Sequence, residues 1–448
     1  MRTLIKSTIL LSLLYTAVLY SQNHVSFNSP PDWSYNKTIY EVNTRQFTGE
    51  GTFRSFEKHL PRLKEMGVGI LWLMPIHPIG EKNRKGELGS YYSVKDYKAV
   101  NPEFGTLKEF KALVDNIHKM GMYVIIDWVA NHTAWDNNWT IEHPEFYTQD
   151  SLVNFIPPVP DWTDVADLNY DNKELWAAMI NALTFWVKEY DIDGYRCDVA
   201  GMVPIEFWIE ARKELDKIKP VFMLAEWDTP EMHKAFDMTY DWGTHNLMNA
   251  IAKGEKNAED MLNNLNEDKN SYPTNAFRMH FTSNHDENTW NGTVFERLGS
   301  AAETFAVFSF LIPDMPLIYT GQEAGLNKRL VFFDKDEVEW EKHEFQKLYS
   351  HLIELKNNND ALLNGERGGK IAWVNSTDKK NILAFTRAKN KDKMFAILNF
   401  SDKEAEFELD AESMSGTYKN YFTGKVKTYS NKEKFNLNPW EFKVFVKQ

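Results

Sequence analysis

From about Thr38 to Glu323, short apolar runs alternate with longer segments of helical period. The apolar runs predict strands at Thr38–Phe47, Gly69–Ile76, Tyr123–Ala130, Gly194–Ala200, Val221–Trp227, Phe236–Trp242, Arg278–Asn284 and Pro316–Thr320. Several are near-continuous Val, Ile, Leu or Met, the composition of strands buried on both faces. Between them, Thr106-Leu107-Lys108-Glu109 has the spacing of a capping box, with Thr106 at the N-cap. Behind it Leu107, Phe110, Leu113, Val114 and Ile117 share one helical face, and Gly121 is placed to end the helix. Leu175, Met179, Ile180, Leu183, Trp186 and Val187 repeat the pattern. Eight strand–helix units predict an α/β fold, a (β/α)₈ barrel. A doubly wound open sheet is the competing architecture, and the pattern alone separates the two poorly.

About forty residues, with Pro157, Pro158 and Pro160, separate the third strand from the helix beginning near Asn172. So long a connection predicts a small inserted subdomain over one end of the barrel. Beyond the helix around His343–Asn357 the texture changes to short alternating runs, such as Ile371–Val374, Ile382–Arg387, Met394–Phe400 and Phe442–Lys447. They predict a C-terminal antiparallel β-sandwich. The expected division is a leader over 1–21, a barrel over 22–132 and 171–360, an insert over 133–170 and a β module over 361–448.

The leader is expected from Arg2 and Lys6, the apolar run Ile9–Tyr20 and the small residue Ser21. That run is short for a membrane span, so an exported protein, periplasmic or extracellular, with no membrane segment in its mature form is expected. The single cysteine, Cys197, rules out an internal disulfide, leaving stability to the core. A net charge of −13 repels nucleic acid and anionic lipid and tolerates a neutral partner such as a sugar. The 15 Trp in the chain fit the same partner, because a pyranose has an apolar CH face that suits an aromatic plane.

A barrel gathers its chemistry at the C-terminal ends of its strands. There the third run ends Asp127-Trp128-Val129-Ala130-Asn131-His132, the fourth Gly194-Tyr195-Arg196-Cys197-Asp198, the fifth Ala225-Glu226-Trp227 and the seventh Ser283-Asn284-His285-Asp286. One such carboxylate alone is more often a cap or a salt-bridge partner; several on one rim match the needs of glycosidic cleavage. One carboxylate attacks the anomeric carbon while a second protonates the leaving oxygen and then activates water. Arg196 precedes Asp198 by two residues, so both side chains point to one face, where the guanidinium keeps Asp198 ionised.

These segments resemble the signature regions of the α-amylase family, glycoside hydrolase family 13. Asp127–His132 is similar to its D-x-x-x-N-H region, Gly194–Asp198 to G-x-R-x-D, Glu226 to the third region and Asn284-His285-Asp286 to N-H-D. Val165-Ala166-Asp167-Leu168-Asn169 and Tyr92-Ser93-Val94-Lys95-Asp96-Tyr97 resemble two further elements. The resemblance implies Asp198 as nucleophile, Glu226 as general acid/base and Asp286 as the third carboxylate, binding sugar hydroxyls. It implies Tyr92, His132, Arg196, His285 and Asp127 around the substrate. In that set Tyr92 stacks under the reacting sugar, the histidines bind hydroxyls and Arg196 orients Asp198. Asp127 and Asn131 serve mainly to hold the site together.

The chain departs from the pattern where many members carry Lys-His after the nucleophile; here those positions are Gly201 and Met202. The histidine position usually helps hold a structural calcium, so Asn131 is the remaining candidate calcium ligand, and the chemistry itself needs no cofactor. Trp135, Trp139, Trp162, Trp227 and Trp290 fall in rim loops, as sugar walls or as packing. The function expected is hydrolysis of α-1,4 bonds in starch, glycogen or malto-oligosaccharides. Exo-acting or transglycosylating variants, or a non-catalytic glucan-binding relative, are the alternatives.

Overall fold

The apolar runs become eight strands, all but the last shorter than their runs: Ile39–Val42, Ile70–Leu73, Tyr123–Trp128, Gly194–Cys197, Phe222–Ala225, Met238–Tyr240, Phe277–His280 and Met315–Tyr319. This is seen in a computed structural model that describes residues 29–430 and 432–448. The leader features Arg2, Lys6, Ile9–Tyr20 and Ser21 lie outside the described residues. Each strand pairs in parallel with its neighbours in the chain, and the first pairs with the eighth, closing the barrel. Closure excludes the open doubly wound sheet.

The runs overshoot the strands because polar caps end the ladders early. The first stops at Val42, where the Asn43 side chain accepts the Gln46 N–H and starts a helical turn, Thr44–Phe47. The sixth stops at Tyr240, because Asp241 caps the helix Trp242–Ala252 through the Thr244 N–H. Elsewhere the helices follow the pattern. Thr106 and Glu109 form the reciprocal cap of Leu107–Lys119, whose Phe110, Leu113, Val114 and Ile117 are buried. Asn172 caps Lys173–Tyr190.

Alternation along each strand sorts its side chains. Ile39, Ile70, Trp72, Ile125, Leu224, Met238, Tyr240 and Met279 fill the barrel interior as one apolar cluster. Tyr40, Leu71, Val124, Ile126, Tyr195 and Met223 face the helices in the main core. Two residues beyond Ile39, Ile125 and Leu224 on the inward face stand Glu41, Asp127 and Glu226, and Arg196 and Asp198 share that face of the fourth strand. A charged layer therefore caps an apolar barrel at its C-terminal mouth. Asp127 and Arg196 are direct partners in the register of the third and fourth strands.

Over the mouth lies a short antiparallel strand pair, His132–Ala134 with Val165–Asp167. The C-terminal module has a six-stranded antiparallel sheet in the order Ile371–Trp373, Ile382–Lys389, Asp392–Asn399, Phe442–Lys447, Gly416–Asn420, Val426–Tyr429. A second pair, Ala405–Leu409 with Glu433–Leu437, covers it. Phe395, Ile397, Phe407, Leu409, Leu437 and Phe445 fill the space between the sheets. Leu383, Phe385, Met394 and Leu398 instead join the barrel's core, where Phe305 and Phe308 meet Phe400. Among the described residues no helix is long and apolar enough to cross a membrane.

Candidate active site

The mouth of the barrel opens into a cavity of about 460 Å³ lined by Asp198, Glu226, Asp286, Tyr92, His132 and His285 among others. Six of the nine residues singled out from the sequence thus meet in one space. Arg196, Asp127 and Asn131 do not line it. Asp127 was expected among the substrate contacts, but it is wholly buried beneath them. Its carboxylate accepts hydrogen bonds from Arg196 Nη1 (2.8 Å), the Trp72 indole (3.2 Å) and the Tyr92 hydroxyl (3.1 Å). With both oxygens occupied by protein donors, it positions its neighbours.

Arg196 is the hub. Its Nη1 donates to Asp198 Oδ1 at 2.9 Å as well as to Asp127, and its Nε donates to the Tyr240 hydroxyl at 3.2 Å. Its Nη2 lies 2.9 Å from Glu226 Oε1, an ion contact rather than a directed hydrogen bond. One fully buried guanidinium therefore faces three carboxylates, and Asp198 and Glu226 sit side by side across its fork. Such a fork fixes geometry as well as charge. Glu226 is held from the other side by the Val199 N–H, 2.8 Å from Oε2. Val199 has φ +36° and ψ +46°, left-handed backbone that a β-branched residue rarely adopts. That strain aims the N–H at Glu226, directly after the aspartate on the neighbouring strand.

Burial pushes the Glu226 carboxyl up to about 7; Arg196 opposes this, while Asp198 and Asp286 add to it. Burial likewise raises Asp198, to about 6, again against Arg196 and with Asp127 and Asp286 adding. Glu226 thus holds its proton more firmly than its neighbour, as an acid beside a nucleophile must. Asp286 goes the other way. Burial would raise it, but the His285 imidazole outweighs burial and holds the carboxyl below its usual range.

His285 is the second hub. Its Nδ1 meets Glu41 Oε1 at 2.5 Å, and its Nε2 lies 2.8 Å from the Tyr92 hydroxyl and 3.3 Å from Asp286 Oδ2. Burial alone would make it neutral; Asp286 and Glu41 outweigh that and raise it well above the ordinary histidine value. The imidazolium donates to Glu41 and toward Asp286, leaving the Tyr92 hydroxyl to donate to Asp127. Burial lowers His132 to about 3, so it stays neutral. Asp286 is the most exposed of the three carboxylates, with 38% of its side chain open to the cleft and its Oδ1 accepting from the Trp290 indole at 3.2 Å.

Glu41, Trp72 and Tyr240 went unnoticed in the sequence. A glutamate inside Ile-Tyr-Glu-Val, in the run read as the first strand, was the available signal for Glu41. Gly201 is explained sterically. A Cβ there would fall 2.0 Å from the Trp227 indole, which lies on the glycine and fills the place a longer side chain would take. Around Asn131 the partners are the His132 imidazole (3.4 Å) and, on its backbone carbonyl, the Leu168 N–H (3.1 Å). They tie the strand end to the insert. Among the described residues no group of three or more His, Cys, Asp or Glu converges as a metal site.

Comparison with known proteins decides the family. The model of the alpha-amylase catalytic domain matches residues 33–156 and 159–442. The chain belongs to the alpha-amylase family. As a member of that family it is a glycosidase. It is similar in structure to a noncanonic maltogenic alpha-amylase, AmyB from Thermotoga neapolitana, with a TM-score of 0.85 and 31% identity over 92% of this chain and 98% of that one. An alpha-amylase from Lactobacillus plantarum gives 0.83 and 32%, over the same shares. In sequence it is 26% identical to a maltogenic alpha-amylase of Bacillus acidopullulyticus, over 88% of this chain and 70% of that protein. It is 25% identical to the alpha-amylase MalA of Haloarcula japonica, of whose length it spans 60%.

Removing Arg196 leaves the buried carboxylates without their cation, which costs about 3–5 kcal/mol in such sites. Asp127 and Asp198 are both raised to about 6 in the folded protein. Folding therefore takes up protons, and stability falls as pH climbs from the unfolded value of about 3.9 through the folded one. Without Arg196 that window extends upward. The melting temperature of Arg196→Met is expected to fall below wild type by more at pH 8 than at pH 5; an equal deficit at both contradicts this electrostatic account.

Proposed function

We propose that the protein is a retaining hydrolase of α-1,4-glucosidic bonds in starch, glycogen or maltodextrins. The observation that carries this reading is the single guanidinium shared by Asp198 and Glu226. It keeps the two carboxyls adjacent, the arrangement used for retention, where the pair stand about 5–5.5 Å apart; inversion needs about 6.5–9.5 Å to admit a water. Relatives named maltogenic alpha-amylase and cyclomaltodextrinase support the substrate class.

In the first step Asp198 attacks the anomeric carbon as Glu226 gives its proton to the departing glycosidic oxygen. The C–O bond breaks and a glycosyl ester on Asp198 forms. Glu226, now ionised, takes a proton from water; the water oxygen bonds to the anomeric carbon and Asp198 leaves as carboxylate. Asp286 and the charged His285 hold hydroxyls of the reacting sugar, with the Tyr92 ring below it and His132 as a neutral partner. Asp198, Glu226 and water supply every proton and electron pair, so no step needs a metal or a cofactor. A neutral sugar also suits an acidic protein that disfavours nucleic acid. Asp198, Glu226 and Asp286 all facing the cavity disfavour a purely binding role.

Asp198→Asn and Glu226→Gln are each expected to leave the fold intact and to lower kcat on soluble starch by about 10³-fold or more, since each removes a whole step. Near-normal turnover in either refutes the assignment. For the wild type, kcat/KM is expected to fall on the acid side near pH 6 as Asp198 takes a proton, and on the alkaline side near pH 7 as Glu226 loses its own. A rate flat from pH 5 to 8 contradicts those roles. Export follows from the charged start and apolar run at the N-terminus. N-terminal sequencing of protein recovered outside the cytoplasm is expected to begin near Gln22, and an intact Met1 there overturns the leader.

A further inference from the structure

We infer that Lys85 and the loop that carries it wall off the glycone end of the cleft, so that the enzyme removes short units, glucose or maltose, from chain ends. This rests on the glycosidase reading above and adds the length of product.

The argument begins with which side of the barrel holds what. The leaving sugar departs past its proton donor, so the aglycone side is the side of Glu226, on the fifth strand, with Val199 and Trp227. The glycone lies against Tyr92 and His132, which follow the second and third strands. The barrel order places the second and third strands, with the first and eighth, on a continuous arc. The loop after the second strand stands on that arc, and it is sewn down on both flanks.

At its root the Glu81 N–H donates to the Asp136 carboxylate at 3.0 Å, holding it to the insert. At its tip Lys85 Nζ donates to the Asp161 carbonyl at 2.9 Å and pairs with Asp164 at 3.0 Å, reaching the far end of the insert. On the other flank the Leu88 N–H donates to the Phe333 carbonyl at 3.0 Å, and the Glu87 N–H to Asp334 at 2.6 Å. Buried Arg45 clamps beneath, donating to the carbonyls of Gly89 (3.0 Å) and Phe332 (3.3 Å). The loops after the second, third and eighth strands are thus tied into one rim.

Lys85, Trp162, Asp164, Phe332 and Phe333 turn this rim toward the cavity that holds the catalytic carboxylates. Phe332 is parallel to Tyr92 with ring centres 6.2 Å apart, and Trp162 packs edge-on to His132 at 5.5 Å. The wall therefore stands directly behind the residues that hold the reacting sugar. A glucan running on past them meets side chains instead of an open groove. The Lys85–Asp164 pair is part-exposed and adds little stability, so its removal opens the wall without unfolding the protein.

The test is the product profile on soluble starch for wild type and Lys85→Ala, with Asp164→Asn as an independent way to release the clasp. Early wild-type products are expected to be glucose or maltose, with iodine staining lost slowly for each reducing end formed. In Lys85→Ala, staining lost per reducing end is expected to rise about tenfold, the low end of what one pocket wall commands, with maltotriose and longer products appearing. Asp164→Asn is expected to move the same way. Unchanged profiles in both variants, or a ladder of long oligomers from wild type at the outset, overturn the wall while leaving the glycosidase intact. No release of sugar by wild type refutes the glycosidase reading, and this inference falls with it.

Discussion

A single arginine, buried to zero exposure among three carboxylates, organises the mouth of this barrel. A charge so placed is costly to desolvate, and its cost is offset only if every partner is in position. The surrounding structure is arranged to ensure that. Strand register sets Asp127 beside Arg196, inward alternation sets Asp198 two residues on, and the neighbouring strand delivers Glu226. The strained Val199 backbone and the Tyr240 hydroxyl complete the fixation. Preorganisation of this kind leaves little to rearrange when substrate arrives.

Around that hub the protein separates the proton affinities of groups that almost touch. Glu226 and Asp198 are both raised by burial, Glu226 further, whereas Asp286 is depressed because charged His285 stands against it. Glu41 makes this possible. Hidden in the first strand, it stabilises the imidazolium from behind and so acts on the sugar-binding carboxylate at one remove. Asp127 plays a matching part, holding Arg196 and the Tyr92 hydroxyl from below.

Much of this was legible in the sequence because barrel strands and signature residues are local signals. Eight apolar runs marked eight strands, and the residues just past them marked the rim. What escaped was set by local capping that hydrophobicity does not show, or by contacts distant in the chain. The runs were read too long because Asn43 and Asp241 stop strands by capping the next helix, an event that hydrophobicity does not record. In the C-terminal module Val426–Tyr429 is largely exposed, so its alternation is weak, and it went unread. Asp127 was grouped with substrate ligands because its position on the rim is visible in sequence while its burial under Tyr92 is not. Gly201 looked like a missing lysine until the Trp227 indole was seen lying on it.

The account turns on two carboxyls held close enough by one guanidinium for direct attack on the sugar. The anomeric form of newly released product, followed by proton NMR within the first minutes of maltodextrin hydrolysis, tests this most directly. Retention predicts that the α-anomer accumulates first and then mutarotates toward equilibrium. Initial appearance of the β-anomer would mean that a water stands between sugar and Asp198, and the shared-arginine geometry would then have been misread.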